Sequence, residues 1–363
     1  MRYRSLGSSG LKLSVIALGT MIFDGARWGC DGDTATRLIH RFLDGGGNLV
    51  DTADVYGDGR VERLIGKAVA GRRHQVLIAT KFGGFTGPGI NDGGNSRHHV
   101  LDAVDQSLRR LGTDHIDLLQ IHAHDATTPM EETLRALDDV VRTGRVRYIG
   151  CSNMAAWQLV KAAGLARHDR LTMPVSLQVQ YSLIARHIER EHVPACLDAG
   201  IGLLAWSPLG AGLLAGRAGS GRPPAPDVRL GFLPRAREGL HTAGLAAADA
   251  VIAAAAEAGL EPAQVALAWL LSRPAVCAAI AGVRTEKQLD IALDAADCRL
   301  PADMLASLDT HGRPRPVSPY DTLDRVEAQW PARGHDRAVS AEGARIHSHG
   351  VDIFQPRVHD YSS

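Results

Sequence analysis

The chain has 363 residues, of which 45% are apolar and 22% are charged, so its composition is that of an ordinary globular protein. Forty basic and forty acidic side chains cancel, which leaves no net field to attract nucleic acid or an anionic membrane surface. The five cysteines are odd in number, widely spaced and free of any C-x-x-C pair, which argues against a disulfide scaffold and predicts reduced thiols in the cytoplasm.

The N-terminal residues predict a short β-hairpin. Segments 2–4 and 11–14 are strand-like and are joined across Gly-Ser-Ser-Gly at 7–10. Residues 1–7 lack the apolar segment of a signal peptide. The most apolar helix candidate, 243–259, contains Asp249 and Glu257 and is too short to span a bilayer. We therefore expect no membrane partner.

From residue 15 onward a strand followed by a helix recurs eight times. The first strand, 15–18, precedes a helix that we expect to be capped at Asp33 or Thr34 and to stop at the glycines 45–47. The strands are short continuous apolar runs, as in a parallel sheet covered by helices. Predicted strands lie at 15–18, 49–50, 76–79, 116–121, 146–149, 175–179, 201–205 and 276–280, and five of the later helices at 61–70, 96–111, 130–142, 157–166 and 188–199.

Eight such units predict an α/β fold, a (β/α)8 TIM barrel with the hairpin at its N-terminus. A doubly wound open sheet is the alternative, but the first strand-to-helix turn, 19–24, has no G-x-G-x-x-G. Residues 207–240 form a long Gly/Pro/Arg-rich loop after strand seven. We expect a barrel domain at 1–312 and a C-terminal tail at 313–363 that covers the barrel mouth or is partly disordered.

Polar side chains gather where the predicted strands end, which is where TIM barrels carry their chemistry. A barrel built for structure alone does not need so many functional groups at one edge, although a single Asp there can also serve as a helix cap. These residues are Asp51 and Tyr56 after strand two, Lys81 after three, His122 after four, Ser152 and Asn153 after five, Gln178 after six, Trp206 and Ser207 after seven, and Gly282 and Arg284 after eight.

Lys81 is the most informative of these residues, because the chain has only five lysines, at 12, 67, 81, 161 and 287. Its apolar strand predicts a shielded ammonium, and Asp51 on the adjacent strand is the nearest plausible partner; a surface lysine is the alternative. An ammonium can lower the pKa of a neighbouring phenol, ordinarily about 10, by roughly 1–3 units. Tyr56 would then be a usable proton donor.

The other strand-end residues suit a ring-shaped ligand and a carbonyl oxygen. His122 can donate to a substrate oxygen, or it can instead bind Asp117 or a backbone carbonyl. Ser152, Asn153 and Gln178 offer the donors and acceptors that a primary carboxamide needs. Trp206 offers a flat face for a ring, or packs the barrel.

A metal site is a competing interpretation. His122-Ala-His124-Asp125 is similar to the H-x-H of metal-dependent barrel hydrolases. Such sites also draw ligands from strands five, six and eight, which here end in Asn153, Gln178 and Arg284. Since these are poor ligands, we expect no metal.

Seven motifs occur in the order that they have in the aldo-keto reductases, over residues 1–311. The chain resembles this family, especially its longer-chain bacterial members and the related β-subunits of voltage-gated potassium channels. The motifs are Leu-Val-Asp-Thr-Ala-Asp-Val-Tyr-Gly at 49–57, Ala-Thr-Lys-Phe-Gly at 79–83, Asp-Leu-Leu-Gln-Ile-His at 117–122, Gly-Cys-Ser-Asn at 150–153, Leu-Gln-Val-Gln-Tyr-Ser at 177–182, Ala-Trp-Ser-Pro-Leu-Gly at 205–210 and Ile-Ala-Gly-Val-Arg-Thr-Glu-Lys-Gln-Leu at 280–289.

The resemblance implies a barrel that binds NADPH across its C-terminal mouth and reduces an aldehyde or ketone. Tyr56 would be the general acid, tuned by Lys81 and Asp51, and His122 would orient the carbonyl. The implied cofactor residues are Ser152, Asn153 and Gln178 for the carboxamide, Trp206 for the nicotinamide ring, Ser207, Leu209, Gly210 and Gly212 in the loop after strand seven, which would hold the pyrophosphate, and Gly282, Arg284 and Gln288 for the 2′-phosphate.

Two positions depart from the family pattern. Ala123 stands where an Arg commonly follows the catalytic His, and Ala292 stands near a common Asn that contacts adenine. The alternative function that the resemblance implies is an NADPH-binding regulatory module with little turnover, like the channel β-subunits. The sequence leaves the substrate, the direction, the preference between NADP and NAD, the oligomeric state and the role of 313–363 open.

Overall fold

A computed structural model of the chain describes residues 1–25, 29–217, 219, 242–314 and 317–327. Eight parallel strands form a closed barrel in which each strand pairs with its neighbour in sequence and the last pairs with the first. The predicted (β/α)8 TIM barrel is therefore confirmed. The strands are β3 (Ile16–Gly19), β4 (Leu49–Asp51), β5 (Leu77–Phe82), β6 (Ile116–Ile121), β7 (Val146–Ser152), β8 (Pro174–Gln180), β9 (Gly202–Trp206) and β10 (Val276–Gly282).

The N-terminal hairpin closes the end of the barrel where the strands begin, opposite the carboxyl ends that carry the predicted site residues. Its strands, β1 (Tyr3–Ser5) and β2 (Lys12–Ser14), pair antiparallel with Tyr3 opposite Ser14. Leu6 and Leu13 are fully buried in one cluster with barrel residues that include Leu49 and Leu118. The hairpin thus supplies apolar side chains that fill the barrel interior, and the opposite mouth is left for polar groups.

Helices cover the outside of the barrel and pack on its apolar strands. They are α1 (Gly32–Asp44), α2 (Arg60–Val69), α3 (Arg97–Leu111), α4 (Met130–Arg142), α5 (Ala156–His168), α6 (His192–Ala199), α7 (Thr242–Ala258), α8 (Pro262–Leu271), α9 (Glu286–Asp294), α10 (Ala302–Asp309) and α11 (Tyr320–Glu327). No single helix in the described ranges is long and apolar enough to cross a membrane, although Gly244–Ala258 and Pro262–Leu271, bent by 102° at their junction, meet the length and composition test jointly.

Two predicted helix boundaries are wrong. The cap of α1 is Asp31, whose side chain accepts a hydrogen bond from the backbone N–H of Thr34, so the helix starts earlier than a cap at Asp33 or Thr34 would place it. The predicted helix 188–199 is a 3-10 turn, His187–Glu189, followed by α6. Arg186 binds Glu189 and the carbonyl oxygens of Asp309 and His311. These bonds hold the 3-10 turn against the end of α10, so it is not continuous with α6.

The two segments outside the repeat are described only in part. After β9, residues 207–217 contain a 3-10 helix, Gly210–Ala215, whereas 218 and 220–240 of the predicted loop lie outside the described residues. In the predicted tail, α11 carries Tyr320, whose hydroxyl bonds Glu191. Residues 315–316 and 328–363 lie outside the described part of the chain, and the prediction that the tail covers the mouth falls largely on them.

Candidate active site

The register of the barrel brings the predicted strand-end residues to one mouth. Asp51 is aligned with Gly19 on one side and with Ala79 on the other. Lys81 is aligned with Gln120, and Ser152 with Gln178. Because all eight strands run parallel, their carboxyl ends form one rim, as the TIM-barrel rule requires.

Lys81 and Asp51 form a buried ion pair beneath this rim. The Lys81 ammonium donates to Asp51 Oδ1 at 2.7 Å and to the Thr52 carbonyl oxygen at 2.8 Å, and Lys81 and Asp51 are only 1% and 3% exposed. Burial disfavours the charged ammonium and is the largest single influence, but Asp51 and Tyr56 together outweigh it, so the pKa of Lys81 is raised. The predicted pairing is present, and Lys81 stays protonated.

Tyr56 stands over this pair on a tight turn. The turn, Tyr56–Gly59, has left-handed backbone at Gly57, Asp58 and Gly59, with φ of 55°, 54° and 79°, a conformation that favours glycine. The Lys81 ammonium lies 5.3 Å from the centroid of the Tyr56 ring and hydrogen-bonds its hydroxyl. The phenol is thereby held between the buried cation and the open mouth.

His122 completes the group from the end of β6. Its ring centroid lies 6.1 Å from that of Tyr56, at an interplanar angle of 78°. Burial, followed by the nearby Lys81 ammonium, lowers the pKa of His122 to about 4, so its ring is neutral at pH 7. The alternative partner Asp117 accepts instead from Arg73 and from the Ile78 backbone N–H.

The amide residues at the next strand ends bond to this group and to one another. Gln178 Nε2 donates to Asp51 Oδ2 at 2.7 Å. Asn153 Nδ2 donates to the His122 carbonyl oxygen and to Ser152 Oγ, each at 3.0 Å, while its Oδ1 accepts from Trp206 Nε1 at 3.1 Å. Gln178 therefore touches both the ion pair and the mouth, a double role that sequence reasoning did not foresee.

A cleft of about 690 Å³ runs from this group across the rim between β9 and β10, within the usual size range of cofactor sites. Most of the predicted residues line it: Asp51, Tyr56, His122, Asn153, Gln178, Trp206, Ser207, Leu209, Gly212, Gly282, Arg284 and Gln288. Lys81, Ser152 and Gly210 are buried behind the wall. Gly210 allows a close approach there, since an added Cβ would lie 2.4 Å from Ile184 Cδ1.

One end of the cleft is positively charged. Arg284 precedes α9, and its backbone N–H donates to Gln288 Oε1 at 2.8 Å. Lys287, in the first turn of the same helix, also lines the cleft, and a helix N-terminus favours anions. Sequence reasoning missed Lys287, although the scarcity of lysine that singled out Lys81 could have found it.

A second missed residue is Thr20, which follows the first barrel strand. Its backbone N–H and its hydroxyl both donate to the Asp51 carbonyl oxygen, at 3.0 and 2.8 Å. Thr20 also lines the cleft. It therefore fixes the backbone that carries Asp51, a role that a lone threonine in a turn does not reveal.

The residues of the possible metal motif are engaged elsewhere. His124 stacks edge-on against Trp157, and Asp125 accepts from Thr127, Thr128 and the Asn95 backbone N–H. Among the described residues, no three His, Cys, Asp or Glu side chains are grouped as a metal site would require. All five cysteines are free thiols.

Comparison with known proteins places these features in a family context. Residues 15–313 match the model of the Aldo/keto reductase family. The chain is 37% identical over 345 residues to versiconal hemiacetal acetate reductase of Aspergillus parasiticus, covering 88% of this chain and 99% of the relative. It is 37% identical over 304 residues to a probable voltage-gated potassium channel subunit beta of Arabidopsis thaliana, covering 82% and 92%. It is 38% identical over 324 residues to the uncharacterized oxidoreductase YrpG of Bacillus subtilis, covering 85% and 95%.

Proposed function

The chain belongs to the aldo/keto reductase family, and we propose that it is an NADPH-dependent carbonyl reductase that converts an aldehyde or ketone to an alcohol. The observation that carries this proposal is the convergence of Tyr56, Lys81, Asp51 and a neutral His122 at the deep end of one cleft. A phenol, a buried ammonium that supports its anion and a neutral hydrogen-bond donor are what proton delivery to a carbonyl oxygen requires.

The cleft fits a dinucleotide of the kind that this family uses. Its deep end presents Asn153, Gln178 and the Trp206 ring, which suit a carboxamide on an aromatic ring. Its other end presents Arg284 and Lys287, which suit a phosphate. When bound, NADPH would supply the hydride that reduces the substrate carbonyl.

The roles within the chain follow from charge and position. Tyr56 would give its hydroxyl proton to the substrate oxygen, and the Lys81 ammonium, which already bonds that hydroxyl, would stabilise the resulting phenolate. Asp51 would keep Lys81 protonated and in place. His122, being neutral, would donate a hydrogen bond to the same substrate oxygen without carrying a charge that competes with Lys81.

The phosphate end supports NADPH over NADH. A guanidinium binds a phosphate bidentately, and Arg284 is fixed at its backbone by Gln288, while Lys287 adds a second cation one turn away. Ala292, which stands where the family pattern has an adenine-contacting Asn, also lines the cleft. Arg284 and Lys287 therefore support a phosphate-binding role for this end of the cleft.

Replacing Tyr56 by Phe tests the proposal. Without the hydroxyl, we expect reduction of aldehydes by NADPH to fall by about 10²–10⁴-fold, while the affinity for NADPH, followed by quenching of protein fluorescence, stays close to that of the parent. The matched control is Tyr3→Phe, which removes a hydroxyl bonded to the Gly46 carbonyl in the distant hairpin. Equal turnover in Tyr56→Phe and Tyr3→Phe would refute the assignment.

A second candidate is a nicotinamide-binding regulatory module. It is supported by the relatives named as probable potassium channel β-subunits in Arabidopsis thaliana and Oryza sativa. Steady-state oxidation of NADPH and NADH with a panel of aldehydes, ketones, quinones and sugars separates the two. Tight NADPH binding without turnover on any of these compounds would favour the module. The free thiols fit the cytoplasmic setting that we propose for either function.

A further inference from the structure

Asp54 is a buried carboxyl group next to the proposed catalytic residues that the mechanism above does not use. It lies three residues after Asp51 and two before Tyr56, and it is 1% exposed. Its backbone N–H donates to the Lys81 carbonyl oxygen at 3.1 Å. Its side chain does not line the cleft. The group therefore lies on the inner side of the segment that carries Tyr56.

The charged groups that act on Asp54 come from three elements: Glu62 on α2, Arg110 on α3 and Lys81 on β5. The Glu62 carboxylate is fully used, since Oε1 accepts from Thr80 and Oε2 from Arg110 Nε, each at 2.6 Å. The remaining nitrogens of Arg110 donate to Gln106 and Ser107. Among the described residues, neither carboxyl oxygen of Asp54 has a hydrogen bond of normal geometry, and the one donor that acts on the group is the backbone N–H of the adjoining Val55.

We define the buried charge cluster as Asp51, Asp54, Glu62, Lys81 and Arg110. It has three carboxyl groups but two cations. Asp51 is paired with Lys81 and Glu62 with Arg110, which leaves Asp54 as the surplus acid. A buried carboxylate without a partner is strongly disfavoured, so the cluster is electrically balanced only while Asp54 holds a proton.

We propose that Asp54 is a proton-holding positioning residue: in its neutral form it leaves the Lys81 charge to act on Tyr56, and in its ionised form it competes for that charge and weakens Tyr56 as an acid. Asp54 gives no proton to the substrate and touches neither substrate nor cofactor. Its proton sets the electrostatic balance behind the phenol. The inference about Tyr56 rests on the function proposed above, whereas the proton on Asp54 does not.

The pH at which this balance changes supports a functional role. Burial first, and then the neighbouring Glu62 carboxylate, raise the pKa of Asp54 to about 7, with Arg110, the Val55 backbone N–H and Lys81, in that order, acting in the opposite direction. Asp54 would thus exchange its proton near neutral pH. An asparagine at this position would have nearly the same shape and hydrogen-bonding capacity but no charge to gain.

The activity arm of the test compares pH profiles of Asp54→Asn and Asp58→Asn. Asp58 is an exposed carboxylate on the same turn, and Asn tolerates its left-handed backbone. In single-turnover reduction, the parent and Asp58→Asn should slow by about threefold to tenfold as pH rises through 7, because an added negative charge weakens the phenol as an acid. Asp54→Asn should lose that step. The step persisting unchanged in Asp54→Asn would overturn the positioning role.

The stability arm needs no activity and separates the two proposals. The folded state holds the Asp54 proton more tightly than the unfolded state does. As pH rises from 4 to 7, the free energy of unfolding of the parent should therefore fall relative to that of Asp54→Asn, as measured by urea unfolding. Parallel curves for the parent and Asp54→Asn would overturn the proton-holding inference even in an active enzyme. If no turnover is found at all, the proposed function fails while this arm still decides the state of Asp54.

Glu62→Gln tests the same cluster with Asp54 still in place, in case Asp54→Asn does not fold. Removing the neighbouring negative charge should lower the affinity of Asp54 for its proton and move both the kinetic step and the stability step to lower pH. A shift to higher pH, or none, would contradict the cluster.

Discussion

Breaking the Lys81–Asp51 ion pair is the most direct test of what holds the mouth of the barrel together. In Lys81→Met the Asp51 carboxylate stays 3% exposed and loses its 2.7 Å ammonium partner. Removing one partner of such a buried pair typically costs about 3–5 kcal/mol. Gln178 still donates to the other carboxylate oxygen at 2.7 Å, so we expect a loss near the lower bound, about 3 kcal/mol.

The double-variant cycle distinguishes the ion pair from general packing. Asp51→Asn alone leaves a buried ammonium without its carboxylate and should cost a similar amount. In the double variant no unpaired charge remains, so its cost should be well below the sum of the single costs, with a coupling energy of about 2 kcal/mol or more. The measurement is urea unfolding of all four proteins at pH 7, from which the free energy of unfolding is extrapolated.

An exposed ion pair on the same barrel provides the control. Arg41 and Asp290 bond at 2.7 Å, with side chains 47% and 41% exposed, and such surface pairs contribute about 0–1 kcal/mol. Arg41→Met and Asp290→Asn should therefore change stability little, alone or together. If Lys81→Met costs no more than Arg41→Met, or if the buried cycle shows no coupling, the ion pair does not hold the mouth and the reasoning fails.

Two further predictions concern the ring and the phosphate end. Since the pKa of His122 is lowered to about 4 from an ordinary 6.5, its contribution to stability is lost as pH falls through this interval, because the unfolded chain binds the proton first. His122→Gln should therefore lose less stability than the parent between pH 7 and 4.5 in urea titrations, and identical losses would contradict a neutral ring. Arg284→Met should weaken NADPH binding by about tenfold or more and leave NADH binding nearly unchanged, as followed by fluorescence titration. An equal loss for both cofactors would argue against a 2′-phosphate contact.

The strand ends could be predicted from sequence because their meeting point is a property of topology. Once eight apolar strands alternate with helices, the residue after each strand lies on one rim, whatever the loops do. Asp51, Lys81 and His122 required no further information. The pairing of Lys81 with Asp51 also followed, because adjacent strands in sequence are adjacent in the barrel.

Contacts between distant parts of the chain could not be predicted in this way. Gln178 reaches Asp51 from four strands away, and the same amide equally suits the carboxamide contact that the resemblance implies. The break before α6 depends on Arg186 reaching carbonyl oxygens more than 120 residues later in sequence. The proton that we assign to Asp54 follows from the ion pair between Glu62 and Arg110, which leaves no cation for a third carboxylate. Each of these outcomes is decided by which partner is already engaged, and that information is absent from local pattern.

The scarcity of lysine gains a physical meaning from the contacts at position 81. The ammonium has three N–H donors and meets three oxygen acceptors, on Asp51, Thr52 and Tyr56. A guanidinium presents its donors in a flat fork that cannot converge on three oxygens from one point. Arginine serves where acceptors are spread out, as for Arg73, which reaches Thr113, His115 and Asp117. In a chain that otherwise relies on arginine, the convergence of three acceptors on one point therefore explains the lysine at position 81.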